Sequence, residues 1–336
     1  MKKFCLKLSL LLGLLIVTAI INYYIDPGKK YMYYIFSTNK NILVLGNIDE
    51  RVLKSKFIEK DKGKKEIVIL GSSRVMTLSL NNSKVINLGV SGANLKDDLA
   101  LLYKYIEENK KNPKKIIIGI DPWIFNKNED TRYKVLENEY FNMLELLKEK
   151  QIERKKINER VEKIKYLFKI STLKDSIKIL KRSGISKTIS FMETEQKIDE
   201  KGNIYNYFDR SYQYSKKFIE NKNIDLESYK NYQIENFSKL DEERKKELEL
   251  FIQWCNVNKI DLLVYLPPYN PEHYKKYILN TKYKLLFDEI EIYMYYLKKK
   301  YNFELIGKYY RENLKNEDFY DSIHLRSEKI NKEFFK

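Results

Sequence analysis

The sequence predicts an α/β fold, a three-layer α/β/α sandwich around about five parallel strands. Three observations predict it. Five short runs are apolar throughout and rich in β-branched residues, which marks strands covered on both faces. Helical patterns separate them. The runs end in glycine or polar residues, and open α/β sheets bind ligands just beyond the carboxyl ends of their strands. The 336 residues, 43% of them hydrophobic, suffice for one large core or a core with an appended subdomain.

The chain opens with "MKKFCLKLSLLLGLLIVTAIINYYIDP". Lys2, Lys3 and Lys7 precede an uncharged, mainly apolar run from Leu8 to Ile25. That run is near the length that spans a bilayer, roughly 17–25 residues. Tyr23 and Tyr24 stand where an interfacial aromatic belt would be. No A-x-A-like cleavage site or lipobox-like cysteine follows, so a retained anchor is expected over a cleaved signal peptide. Lysines before the run and Asp26 after it predict a single-pass protein of the cell membrane, with its N-terminus inside and the remainder extracytoplasmic. A cytoplasmic protein with a buried hydrophobic N-terminus is the less favoured reading.

Residues 1–26 are thus the anchor, 27–64 a mixed juxtamembrane lead-in, and 65–336 the α/β domain. The expected strands are "EIVILG" (66–71), "KVINLG" (84–89), "KKIIIGID" (114–121), "IDLLVYLP" (260–267) and "NFELIG" (302–307). Helices are expected over 94–111, before Pro113, and over 240–259. The second has Asp241 as its cap and Leu248, Phe251, Ile252 and Cys255 on one face. Between the third and fourth strands lies an insertion, about 127–238. It is helical over "YFNMLELLKEKQIERKKINERVEKIKYLFK" and Tyr-rich over "GNIYNYFDRSYQYSKKF". It reads as a lid, a partner-binding subdomain or a peripheral elaboration.

The net charge is +17, from 64 Lys+Arg against 47 Asp+Glu. Such a surface attracts polyanions, but the lysines are spread evenly among Asn, Ile and Tyr, the mark of a composition bias. No nucleic-acid motif accompanies them, so nucleic acid is not an expected partner. Cys5 and Cys255 are too far apart in pattern to suggest a disulfide, and no Cys/His cluster suggests a metal. No cofactor is expected.

The turn "GSSR" after the first strand raises the question of a serine nucleophile. It lacks both phosphate-loop patterns. A serine needs a neighbouring base, and that base needs a partner that fixes its tautomer. The chain has two histidines. His273 follows the fourth strand in "LPPYNPEHY" and could contact substrate or lie idle at the surface. His324 sits in "DSIHL", three residues after Asp321, a spacing that lets the carboxylate accept from Nδ1 and leaves Nε2 for a serine. Ser72 and Ser73 are both candidate nucleophiles; the alternative for the turn is a helix cap, and for Asp321 and His324 a surface turn. Arg74, Asp121, Trp123 and Tyr269 are candidate substrate contacts, Arg74 by its charge and Trp123 and Tyr269 by ring stacking. Local ion pairing and core packing are the alternatives.

These blocks resemble those of the SGNH/GDSL hydrolase superfamily. Gly71-Ser72-Ser73 resembles the first block, "NLGVSGAN" (87–94) the second, and Asp321-Ser322-Ile323-His324 the last. The resemblance covers about 66–126 and 260–330 but not the insertion. It implies a flavodoxin-like sandwich and a Ser73-His324-Asp321 triad. The oxyanion hole would be built from the Ser73 and Gly92 N–H groups, although Gly92 could also be there only for its positive φ. The third block departs: Asp121 stands where the family has an oxyanion-binding Asn. The anchor, G-S-S, "DPW" and "PPYNP" resemble the membrane-anchored branch of cell-envelope acylation, which includes proteins of teichoic-acid D-alanylation and exopolysaccharide O-acetylation. That branch implies serine-dependent acyl transfer or ester hydrolysis on a cell-surface polysaccharide, beside a multi-spanning membrane acyltransferase. A non-catalytic polymer-binding or scaffolding module of the same fold is the alternative.

Overall fold

A computed structural model of the chain describes residues 2–25, 42–44, 49–80, 82–127, 132–152, 159–187, 196–198, 201–202, 204–206, 226–227, 230 and 232–334. In chain order the strands are β1 (Ile42–Val44), β2 (Ile67–Leu70), β3 (Val85–Asn87), β4 (Lys115–Gly119), β5 (Gln196–Ile198), β6 (Ile204–Asn206), β7 (Asp261–Leu266) and β8 (Glu304–Gly307). The helices are α1 (Lys2–Ile25), α2 (Glu50–Lys60), α3 (Leu95–Asn109), α4 (Glu137–Lys148), α5 (Glu159–Phe168), α6 (Ile170–Lys187), α7 (Glu242–Val257), α8 (Pro271–Tyr277), α9 (Lys282–Tyr301) and α10 (Ser327–Phe334).

All five expected strands form, and they make one all-parallel sheet in the order β3-β2-β4-β7-β8. Numbered along the sheet's own strands this is 2-1-3-4-5, the flavodoxin-like order, whose switch point falls between β2 and β4. Alternate side chains leave opposite faces, as the strand repeat requires. Val68, Leu70, Ile116, Ile118, Val264 and Leu266 enter the larger core with α2, α3, α4, α7 and α9. Ile69, Ile117, Leu263 and Tyr265 enter a smaller one with Val75, Leu78, Phe319 and Ile330.

The second face departs from a regular helical layer. Among the described residues, no helix joins β2 to β3. The crossover after β2 is a chain of turns, with Val75 N–H donating to Ser72 O and Leu78 N–H to Val75 O. That face is covered by the crossover, the 314–325 loop and α10. Residues 50–60, inside the expected lead-in, form α2 and put Leu53, Phe57 and Ile58 into the larger core. Within the insertion, α4 does the same with Tyr140, Met143, Leu144 and Leu147. The Tyr-rich stretch beyond Asn206 lies outside the described residues up to Leu226. β5 and β6 form a second, antiparallel sheet with β1.

α1 is long and apolar enough to cross a bilayer. Its 24 residues at 1.5 Å each span about 36 Å, against a hydrocarbon core of about 30 Å.

Candidate active site

β2 ends in Gly71, whose φ of +126° is open to glycine at little cost. A Cβ there would meet the Gly119 carbonyl oxygen at 3.0 Å, so the ends of β2 and β4 can lie close only without one. The Gly71 N–H donates to Asp98 Oδ1 at 2.7 Å, which pins the turn to α3. No helix starts here, so the serines of the turn cap none among the described residues.

The two serines point to different neighbours. Ser72 is 1% exposed; its Oγ accepts from Arg74 N–H at 3.2 Å. Ser73 is half-buried, and its Oγ lies 2.7 Å from His324 Nε2. His324 Nδ1 lies 2.6 Å from Asp321 Oδ2. With the proton on Nδ1 donated to Asp321, Nε2 is the acceptor for the Ser73 hydroxyl. Tyr320 stacks flat on the His324 ring, centroids 5.2 Å apart and planes 4° apart.

The loop that carries the histidine is closed by an antiparallel bridge between Phe319 and Leu325. Tyr320 N–H donates to His324 O within it. Asp321 Oδ1 accepts from the N–H groups of Ile323 and His324, at 2.9 and 2.8 Å. Burial pushes the Asp321 carboxyl up, but the His324 charge, the His324 hydrogen bond and these two N–H groups outweigh it and hold it below its ordinary value. Asp321 therefore stays ionised and fixes the imidazole.

Arg74 and Asp121 form a buried ion pair. Arg74 is 3% exposed. It donates from Nε to Ile323 O at 3.0 Å, from one terminal nitrogen to Asp121 Oδ1 at 2.8 Å, and from the other to Pro267 O at 2.6 Å. Its guanidinium carbon sits 4.2 Å over the Tyr269 ring. One side chain thus ties the ends of β2, β4 and β7 to the histidine loop. Burial raises the Asp121 carboxyl, against the pull of Arg74 and Ser72. Trp123 and Tyr269 are also buried; Trp123 Nε1 donates to Ala93 O at 2.8 Å. All four side chains expected as substrate contacts are nearly buried and make the internal contacts described above.

Gly92, after β3, has φ +56°, the left-handed region. A Cβ there would run into the ends of the Arg132, Gln233 and Tyr232 side chains. Among the described residues, neither the Ser73 nor the Gly92 N–H donates to a protein acceptor. His273 is fully buried; its Nδ1 lies 2.8 Å from Leu226 O, and its ring packs on Tyr269 and Tyr277. Burial lowers its pKa, so it stays neutral.

Several positioning residues escaped the sequence reading. Glu50 accepts from the N–H and hydroxyl of Ser91, and Arg51 pairs with Asp97 across α2 and α3. Gln233 Nε2 donates to Gly92 O at 3.2 Å, and Tyr232 meets Trp123 edge to face at 5.5 Å. The one legible signal among these was the capping box at Asn94 and Asp97. Among the described residues, no group of three or more His, Cys, Asp or Glu is placed to hold a metal ion.

Taken together, the hydroxyl, imidazole and carboxylate form a continuous chain that can draw a proton off Ser73. Compared with protein-family models the chain matches none of them, and compared with curated proteins it has no significant match.

Proposed function

We propose that the chain is a serine-dependent acyl-transfer catalyst of the SGNH type, held outside the cell membrane by α1. The carrying observation is the relay Ser73 Oγ–His324 Nε2–Asp321, at 2.7 and 2.6 Å. Ser73 Oγ attacks the carbonyl carbon of an ester or thioester, and its proton passes to His324 Nε2. Asp321 holds the imidazolium. The oxyanion is taken by the N–H groups of Ser73 and Gly92. The tetrahedral adduct collapses, the bond to the leaving alcohol or thiol breaks, and that group takes the proton from Nε2. A polysaccharide hydroxyl or water then gives its proton to Nε2 and attacks the carbonyl carbon of the acyl-Ser73 ester; the second tetrahedral adduct collapses, its bond to Ser73 Oγ breaks, and Ser73 takes the proton back from Nε2. A membrane acyltransferase is the proposed source of the acyl group and a cell-surface polysaccharide the proposed acceptor.

Asp121 stands where SGNH hydrolases carry an oxyanion-binding Asn. Paired with Arg74 and away from solvent, it does not present a bare negative charge to the oxyanion. It also supplies no donor, which favours a second reading: a module of this fold that binds polymer or scaffolds an acyltransferase without turnover. The test is hydrolysis of p-nitrophenyl acetate by the full chain in nanodiscs. A burst of one nitrophenolate per chain, lost in Ser73→Ala, supports the catalyst. No release above the Ser73→Ala background supports the module.

A further inference from the structure

α6 is patterned inside out. A helix on a water-soluble fold buries its apolar stripe and exposes its polar one. Among the described side chains of α6, Thr172 and Ser176 are buried and Leu173 and Leu180 half-buried, while Ile170 and Ile177 are 69% and 39% exposed. Ile170, Lys174, Ile177 and Lys181, at i, i+4, i+7 and i+11, form one exposed stripe on the side opposite Thr172 and Ser176. In α5, Val161, Ile164 and Phe168, at i, i+3 and i+7, form another, 43%, 55% and 44% exposed.

The buried polar face meets the end of α1. Asn22, in the last turn of α1, is fully buried. Its Nδ2 donates to Leu167 O at 2.7 Å and to Lys169 O at 3.4 Å, and its Oδ1 accepts from Ser176 Oγ at 2.9 Å. It thereby satisfies the Leu167 carbonyl in the last turn of α5, where helical partners run out, and shares the Lys169 carbonyl with Leu173 N–H of α6. The α5–α6 corner, with Phe168 and Ile170 outward, therefore sits one turn from the point where α1 ends. A helix spanning a bilayer ends in the headgroup region, so the corner lies at that depth.

We infer that α5 and α6 form a membrane-surface platform that lies on the leaflet where α1 emerges and engages anionic lipid. The inference rests on the membrane placement of α1 and not on the chemistry of Ser73. Two observations favour lipid over a protein partner. α5 and α6 pack on the last turns of α1, where Thr18 and Asn22 are buried, while the rest of α1 leaves its apolar residues exposed, Leu10 and Leu14 at 66% and 64%. Residues 161–181 also hold six lysines against two acids, the pattern of an interfacial helix pair on an anionic surface. Docked there, the platform braces the domain beside its anchor.

The test uses the full chain in nanodiscs containing phosphatidylglycerol, in a Cys5→Ser background. An environment-sensitive dye is placed at Phe168→Cys, at Leu12→Cys within α1, and at exposed Val257→Cys as the aqueous reference. Lipids with a spin label near the headgroup quench from the bilayer; iodide quenches from water. The expected result is lipid quenching at Leu12 and Phe168 but not at Val257. Replacing Lys165, Lys169 and Lys174 by Gln is expected to lower the docked-to-undocked ratio about five-fold per lysine. If Leu12 is quenched by lipid and Phe168 is as open to iodide as Val257, the platform is overturned and the anchor stands. Protection of Phe168 from both quenchers would mark a protein partner and also overturn it. An unquenched Leu12 would overturn the anchor, and the platform with it.

Discussion

Arg74 gives the sharpest stability prediction. Its guanidinium makes three hydrogen bonds, one of them within a buried ion pair to Asp121. Arg74→Met leaves the Asp121 carboxylate buried without its cation, and removing one member of such a pair costs roughly 3–5 kcal/mol. That is a large share of the roughly 5–15 kcal/mol that holds a domain folded. At roughly 2–4 °C per kcal/mol, the melting temperature falls by about 6–20 °C. Arg74→Lys keeps the charge but not the planar fork, and loses about 1.5–3 kcal/mol through the carbonyls of Ile323 and Pro267. Arg74→Met with Asp121→Leu removes both charges, so it melts above the Arg74→Met single variant. Near-ultraviolet circular dichroism melts of the full chain in detergent read all three. An Arg74→Met variant that melts within about 2 °C of wild type would refute the reasoning and return Arg74 to the candidates for binding a substrate anion.

Three further outcomes are expected. Gly92→Ala forces a Cβ onto a left-handed residue and into the Arg132, Tyr232 and Gln233 side chains; it costs roughly 1–2 kcal/mol from the backbone alone, read as a lower melting temperature. Burial, and after it the Asp97 charge, raises the Asp98 carboxyl well above its ordinary value, so the folded state keeps a proton that the unfolded chain loses above about pH 4. Stability therefore falls as pH rises from there towards the folded-state pKa. Asp98→Asn flattens that slope in melts between pH 4 and 7, whereas Asp98→Ala strands the Gly71 N–H and costs roughly 1–3 kcal/mol. Lys54 is buried and donates to Asn87 O and Gly202 O, tying the insertion to the edge strand β3. Lys54→Met removes both bonds, and protease cleavage near residue 202 speeds up before the core melts.

The parallel sheet was legible because its strands are local: each is a continuous β-branched run, and the period-2 split into two cores follows from the pleat. Asp321 and His324 were legible for the same reason, three residues apart on one turn. What stayed hidden depends on distant pairings. Arg74 and Asp121 are 47 positions apart, and nothing in "GSSR" or "GIDPW" says that their charges cancel. The β2–β3 connection reads as a place for a helix, yet Val75 and Leu78 cover the sheet from turns. α2 looked like lead-in because its charged residues mask Leu53, Phe57 and Ile58. The inside-out face of α6 has ordinary helical spacing, and only the packing on Asn22 reveals which side faces out.

The most direct test of the central claim is active-site labelling. The full chain in nanodiscs is treated with a fluorophosphonate, and the adduct is located by peptide mass in wild type, Ser72→Ala, Ser73→Ala and His324→Ala. The account predicts an adduct on Ser73 that persists in Ser72→Ala and disappears in Ser73→Ala and His324→Ala. A folded wild-type chain that takes up no label, or one labelled equally well without His324, would contradict it.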